Sequence, residues 1–301
     1  MHCPEFSPSL ACVTYQGEAG PTPFRQPRPR ASLPSVGRAD QIVAANELAW
    51  VRWRTSAATS PVDRWVRSRG LDPQGVHQSG WAFGWAAPGW RDVADLLDRH
   101  GVPTGVAVDA GLVRRAESGR IYDGFRGRVV LPVRGLLDGR IRGFTARRID
   151  DSDERAPKYI NSPTNSAFRK GQEHFGAWEA RRLLREGGGP VESLVVCEGP
   201  IDVVRVDCGG LWAAVAPCGT ALTRAQAEWI VALARAHDLP VVLAFDGDQA
   251  GEAAAWRAWD LLADLCAPGL RLAELPTGMD PAALNDEDLL SAIGFPARGR
   301  S

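Results

Sequence analysis

Lysine is nearly absent from this 301-residue chain: of its 35 basic residues only Lys158 and Lys170 are lysine, and all the others are arginine. Tyrosine is also scarce, at Tyr15, Tyr122 and Tyr159 alone. The six cysteines include no Cys-x-x-Cys pair, which excludes a readable zinc knuckle or disulfide framework. Cys197 and Cys218 end apolar runs and read as small core residues. His2, Cys3 and Cys12 have metal-binding side chains but not the spacing of a built site. No apolar run approaches the ~20 residues of a spanning helix, and no charged-then-apolar leader opens the chain. The expectation is a cytoplasmic protein with no membrane partner.

A hydrophobic content of 45% is ample for packed cores, and the length suggests about two domains. The net charge of −1 conceals a segregation. Residues 114–172 hold 14 Lys and Arg against 7 Asp and Glu, whereas residues 193–288 hold 5 against 15. The first stretch suits a polyanion and the second suits cations.

Residues 1–38 are rich in Pro, Ser and Arg without apolar periodicity and read as a disordered tail. Helical patterning starts at Asp40, with further helices expected over about 61–69 and 90–100, stopped by Gly70 and Gly101. Trp81, Trp85 and Trp90 bracket one loop; packing is preferred to base stacking for these rings. Val129–Val133 and Ile141–Phe144 flank Leu137-Asp138-Gly139, a hairpin signal. Gly187-Gly188-Gly189-Pro190 marks a domain boundary. Beyond it, strands near 193–197, 212–216, 241–245 and 270–274 alternate with helices near 201–207, 223–237 and 250–265. That rhythm predicts a small parallel sheet covered on both faces.

Two acidic clusters follow strands of this sheet: Glu198-Gly199-Pro200-Ile201-Asp202 and Asp246-Gly247-Asp248-Gln249-Ala250-Gly251. Both would lie at its carboxyl edge, where open α/β sheets hold ligands. If the chain stays extended, Asp246 and Asp248 point the same way. Two carboxylates about 4 Å apart repel by about 4 kcal/mol at an effective dielectric near 20. A hard divalent cation removes that repulsion, and Mg²⁺ is the usual choice beside phosphates. Any one of these acids alone reads better as a helix N-cap, but two clusters in register on neighbouring strands are harder to explain that way.

These residues resemble a known family. Glu198-Gly-x-x-Asp202 with Asp246-x-Asp248 looks like the TOPRIM domain of topoisomerases, primases and some nucleases. Cys218-Gly219-Thr220-Ala221-Leu222-Thr223 is similar to the string that bacterial DnaG-type primases carry between the two clusters. Upstream, Tyr122 to Arg128, Gly143 to Arg147, Pro157 to Thr164 and Phe168 to Gly171 resemble the same catalytic core, in the same order. The weaker strings Ala45-Asn46-Glu47, Arg69-Gly70-Leu71 and Ala110-Gly111-Leu112 extend the resemblance to about residues 40–290. With three tyrosines and no recognisable strand-cleavage domain, a topoisomerase is disfavoured.

The resemblance implies an α/β fold: a TOPRIM-type parallel sheet flanked by helices (189–292), preceded by a mixed α+β subdomain (39–188) and followed by a flexible tail (293–301). It implies DNA-templated synthesis of short RNA primers, with Glu198, Asp246 and Asp248 catalytic, and Asp202 and Asp280 supporting them as ligands of Mg²⁺ or Mn²⁺. No zinc is expected. Arg126, Arg128, Arg147, Lys158, Tyr159, Asn161 and Lys170 would bind single-stranded DNA template and NTPs, and both lysines of the chain fall in this group. Each arginine alone reads as well as a surface ion pair. The expected partners include a separate zinc-domain protein and a replicative helicase, since neither the family's zinc ribbon nor its helicase-binding domain is recognised in these 301 residues. A TOPRIM nuclease and a degenerate, DNA-binding primase relative are the alternatives. Two departures stand out: Pro200 replaces an aromatic residue, and Ala282-Ala283 follows Asp280-Pro281 where a second acid is expected, with Asp286 and Asp288 the nearest substitutes.

Overall fold

The computed structural model describes residues 37–150, 156–186, 190–219 and 221–294. The Pro/Arg-rich tail with His2, Cys3 and Cys12, the glycines 187–189, Thr220 and residues 295–301 lie outside the described residues.

The N-terminal part begins with α1 (Arg38–Ala57), α2 (Val62–Arg67), α3 (Pro73–Gln78), β1 (Gly84–Ala86), α4 (Asp92–Arg99) and α5 (Thr104–Asp109). A two-stranded ribbon of β2 (Val113–Arg115) and β3 (Ile121–Asp123) follows. Then come β4 (Arg128–Arg134), β5 (Ile141–Arg148) and β6 (Tyr159–Asn161). Together β1-β4-β5-β6 form an antiparallel sheet in that order. Pro132 sits inside a strand that has neighbours on both sides, yet lacks an N–H to donate. The register explains this: β1 pairs only as far as Val130, so Pro132 lies where that side of β4 is free.

The second sheet is made of β7 (His174–Phe175), β8 (Ser193–Cys197), β9 (Trp212–Pro217), β10 (Val241–Ala244) and β11 (Arg271–Leu272), in the order β11-β10-β8-β9-β7. Four strands are parallel and β7 runs antiparallel at the edge. Their connecting helices include α6 (Ala177–Glu186), α7 (Pro200–Asp207), α8 (Arg224–Ala236) and α9 (Gln249–Asp264), and α10 (Asp286–Ile293) closes the described chain. The period-2 alternation of strands sorts the side chains. Val195, Cys197, Ala214, Val242 and Ala244 pack with α7, whereas Leu194, Val196, Ala213, Val241 and Leu243 pack with residues of α8 and α9. The sheet is therefore covered on both faces, as its near-continuous apolar strands require.

One core joins the two sheets. Val129, Leu131 and Val133 of β4 cluster with Val195, Ile201, Val204 and Ala214, while Val130 of the same strand turns to Ile42, Trp53 and Phe144 in a second core. The Ala45-Asn46-Glu47 string anchors α1 here: Asn46 donates to the Ile141 and Arg142 carbonyls, and Glu47 accepts from the Ile141 N–H. Four helices, α3, α5, α6 and α10, were not expected from periodicity. Ile293, assigned to a flexible tail, is instead fully buried at the end of α10. Among the described residues no helix is long and apolar enough to cross a membrane.

Trp53 is 1% exposed and meets Phe125 and Phe144 edge-on at 5.4 and 4.9 Å. Trp53→Ala should cost about 3–5 kcal/mol, measured by urea unfolding.

Candidate active site

The strand order reverses between β8 and β10, which are adjacent although β9 separates them in sequence. Such a reversal opens a crevice at the carboxyl ends of the two strands. Glu198 follows β8 and Asp246 lies two residues past β10, so both acids stand at that crevice.

The crevice is one end of a cavity of about 610 Å³. Its acidic side carries Glu198, Asp202, Asp246 and Asp280, and its basic side carries Arg147, Lys158, Tyr159, Asn161 and Lys170. The remaining wall is largely apolar, including Val133, Phe168, Phe175 and Ile201. Nine of the twelve residues expected from the sequence are brought together here.

The other three are placed differently. Asp248 is exposed, does not line this cavity and is the N-cap of α9, accepting from the Gly251 N–H at 2.7 Å. It shares a smaller adjoining cavity of about 200 Å³ with Asp246 and Glu252. The expected extended alternation of Asp246 and Asp248 does not occur, because β10 ends at Ala244 and the chain turns at once into α9. Gly251 permits that turn; a Cβ there would collide with the Asp246 carbonyl. Arg128 is buried and donates to the Pro157 and Lys158 carbonyls at 2.7 and 3.1 Å, so it holds the backbone that presents Lys158. Arg126 lies over Trp90, its guanidinium carbon 3.6 Å from the ring centre, with Tyr122 beside it. Of the three tryptophans read as packing residues, Trp81 does pack, stacked on Phe175 and bonded to Asp207. Trp90 is 59% exposed.

Arg69 lines the cavity and was not among the expected site residues. The signal was present in the Arg69-Gly70-Leu71 string, but helix periodicity gave it no direction. Arg69 and Arg147 both lie over Trp65, and Arg147 also lies over Tyr159 and donates to its hydroxyl at 3.2 Å. Burial pushes the Tyr159 hydroxyl pKa up. Thr223 caps the start of α8, with Gln226 reciprocating. It also fastens the basic wall: Thr223 donates to the Gly171 carbonyl, and Gln226 to those of Lys170 and Glu173.

Electrostatically the acidic side is strained. Burial, then the charges of Asp280 and Asp246, raises the Asp202 carboxyl to about 8, although it accepts from the Gly199 and Ala282 N–H groups. Burial, then Glu198, Asp280 and Asp248, raises Asp246 to about 6, partly relieved by Lys158. One oxygen of Asp246 is buried with no hydrogen-bond partner. An orphaned carboxylate oxygen among like charges fits a hard cation with oxygen ligands. Among the described residues no three His, Cys, Asp or Glu side chains converge tightly enough to cage an ion unaided. Asp286 and Asp288 do not supply the missing acid: Asp286 pairs with Arg205, and Asp288 is tied to Asn285.

Comparison with known proteins gives the same frame. Residues 52–181 match the family model "DNA primase catalytic core, N-terminal domain", and residues 195–284 match "Toprim-like". The RNA polymerase domain of Mycobacterium tuberculosis primase DnaG superposes with a TM-score of 0.72 at 30% identity, covering 85% of this chain and 83% of that one. The chain belongs to the DnaG primase catalytic-core family. A DnaG primase catalytic domain solved bound to single-stranded DNA is similar at TM-score 0.68 and 31% identity, covering 82% of this chain and 74% of that one. The DNA primase of Deinococcus radiodurans is 39% identical over 223 residues, 74% of this chain and 37% of the relative. That of Pseudomonas putida is 36% identical over 244 residues, 80% of this chain and 35% of the relative. The chain thus spans little more than a third of the length of these curated relatives. Toprim domains of primases use divalent metal ions in general.

The raised Asp202 carboxyl has a consequence for stability. Its folded pKa, about 8, lies above the ordinary 3.8 of an unfolded chain. Its contribution is therefore fully present at low pH and is lost as pH rises through that interval. Without divalent ions, Asp202→Asn should gain melting temperature relative to the parent progressively from pH 5 to pH 8, as read by scanning calorimetry.

Proposed function

We propose that this core carries out DNA-templated synthesis of short RNA primers by nucleotidyl transfer dependent on Mg²⁺ or Mn²⁺. The observation that carries the reading is the facing of four carboxylates and a lysine- and arginine-bearing wall across one cavity. Glu198 and Asp246 would hold the ion, with Asp202, Asp248 and Asp280 around them. When bound, the ion supplies charge neutralisation at the attacking 3′-hydroxyl and the departing pyrophosphate.

The protein's own groups supply position. Lys158 and Lys170 offer compact cations to triphosphate or backbone oxygens, and Arg69 and Arg147 offer planar donors held over Trp65. Asp202 accepts from the Gly199 and Ala282 N–H groups, bridging the start of α7 to the Asp280 loop, and so sets the distance between these two acidic loops. The exposed Trp90, backed by Arg126, offers a stacking surface for unpaired bases outside the cavity. Single-stranded DNA is the proposed template and NTPs the proposed substrates. A protein carrying a zinc-binding module and a replicative helicase are the proposed partners, and the cytoplasm the proposed location.

The test is incubation with single-stranded template, NTPs and Mn²⁺ or Mg²⁺, alone and with a zinc-domain partner. Short RNA products are expected, reduced roughly 10²-fold or more by Asp246→Asn or Glu198→Gln. Template degradation without synthesis would identify a Toprim nuclease, and binding with neither activity a degenerate relative. Lys158→Ala should weaken single-strand binding and lower its salt slope by about 0.7, the value for one lost phosphate contact.

A further inference from the structure

Asp202 and Arg205 are three residues apart on α7 and so share one of its faces. Both reach the stretch that carries Asp280. Asp202 accepts from the Ala282 N–H at 3.2 Å. Arg205 donates twice to the Leu284 carbonyl, at 3.0 and 3.3 Å, and once to Asp286 at 2.6 Å. The same loop is fastened at its other end, where Gly247 donates to the Met279 carbonyl and accepts from the Gly278 N–H, each at 2.8 Å. Asp280 lies between these two attachments.

Arg205 is only 8% exposed, whereas its acidic partner Asp286 is largely in solvent. A buried guanidinium is a costly way to fill space, and a well-packed apolar residue would serve stability as well or better. Its use is directional. Glu198, Asp202, Asp246 and Asp280 line one cavity, and repulsion among carboxylates gathered there works against holding the Asp280 loop in place. Leu284 and Ala282 are buried anchor points just beyond that loop. Fixing them to α7 keeps Asp280 at the cavity whether or not a cation is there.

We propose that Arg205 is a positioning residue for divalent-ion binding: by pinning Leu284 and Asp286 to α7, it holds Asp280 at the cavity against its neighbouring carboxylates. Asp286, rather than replacing the acid missing at Ala282-Ala283, serves as the solvent-side partner of this clamp. The inference rests on the metal-dependent reading given above.

Isothermal titration of Mn²⁺ into the metal-free full chain tests it, comparing the parent, Arg205→Met and Arg205→Lys. Arg205→Met should weaken Mn²⁺ binding roughly tenfold, a loss typical of residues that orient metal ligands, and Arg205→Lys should weaken it less. In primer synthesis the Mn²⁺ concentration for half-maximal rate should rise by the same factor, with the rate at saturating Mn²⁺ retained. A lowered melting temperature in Arg205→Met with unchanged Mn²⁺ affinity would overturn the inference. Should Arg205→Met fail to fold, Arg205→Lys decides: weakened binding supports the clamp, and parental affinity refutes it. Failure of the parent itself to bind Mn²⁺ would remove the metal-dependent reading and this inference together, a result distinct from parental binding that Arg205 does not influence.

Discussion

Like charges gathered in a partly buried place repel, and most of the C-terminal half of this molecule is arranged around that fact. Glu198, Asp202, Asp246 and Asp280 line one cavity, and two of them have carboxyls raised by burial and by one another. Nothing local would keep them together. The parallel pairing of β8 with β10 does, because it fixes the two loops that leave those strands side by side. Backbone N–H groups of Gly199 and Ala282 then hold Asp202, and the 276–284 loop is fastened to the Asp246 turn and to α7. The sheet sets the crevice, and hydrogen bonds hold its lips.

The basic side is built by a different sheet but is not independent of the first. β4 contributes to two cores at once, one shared with α1 and one with the parallel sheet. A change in either core should therefore move Lys158 and Arg147 relative to the acids. Arg128 shows how closely this wall is controlled: a buried cation holds the Pro157 and Lys158 carbonyls. Lys158 is close enough to Asp246 to offset part of its neighbours' repulsion.

Much of this was readable in the sequence for a physical reason. Strands buried on both faces must be continuously apolar, so β8, β9 and β10 announced themselves within a residue or two, and glycines at positive φ such as Gly70 and Gly101 marked helix ends. What escaped depends on partners distant in sequence. The two-residue strand β7 exists only because β9 offers an edge, and the six-residue helices α3 and α5 carry too few turns to show periodicity. For the site, residue type and motif spacing indicated charge but not direction. Arg126 and Arg128 look alike in sequence, yet one covers an exposed indole and the other is buried under the backbone of Lys158. Asp248 looked like a twin of Asp246, and the early end of β10 made it a helix cap.

The central claim is that the carboxylates at the β8–β10 crevice and the lysines opposite form one site for a divalent ion and a polyphosphate. Diffraction from crystals grown with Mn²⁺ and a nucleoside triphosphate, recorded at the manganese edge, tests it most directly. An anomalous peak is expected within bonding distance of Asp246 and Glu198, with phosphate oxygens between that peak and Lys158 or Lys170. A peak elsewhere, or a nucleotide bound with no manganese at Asp246, would contradict it.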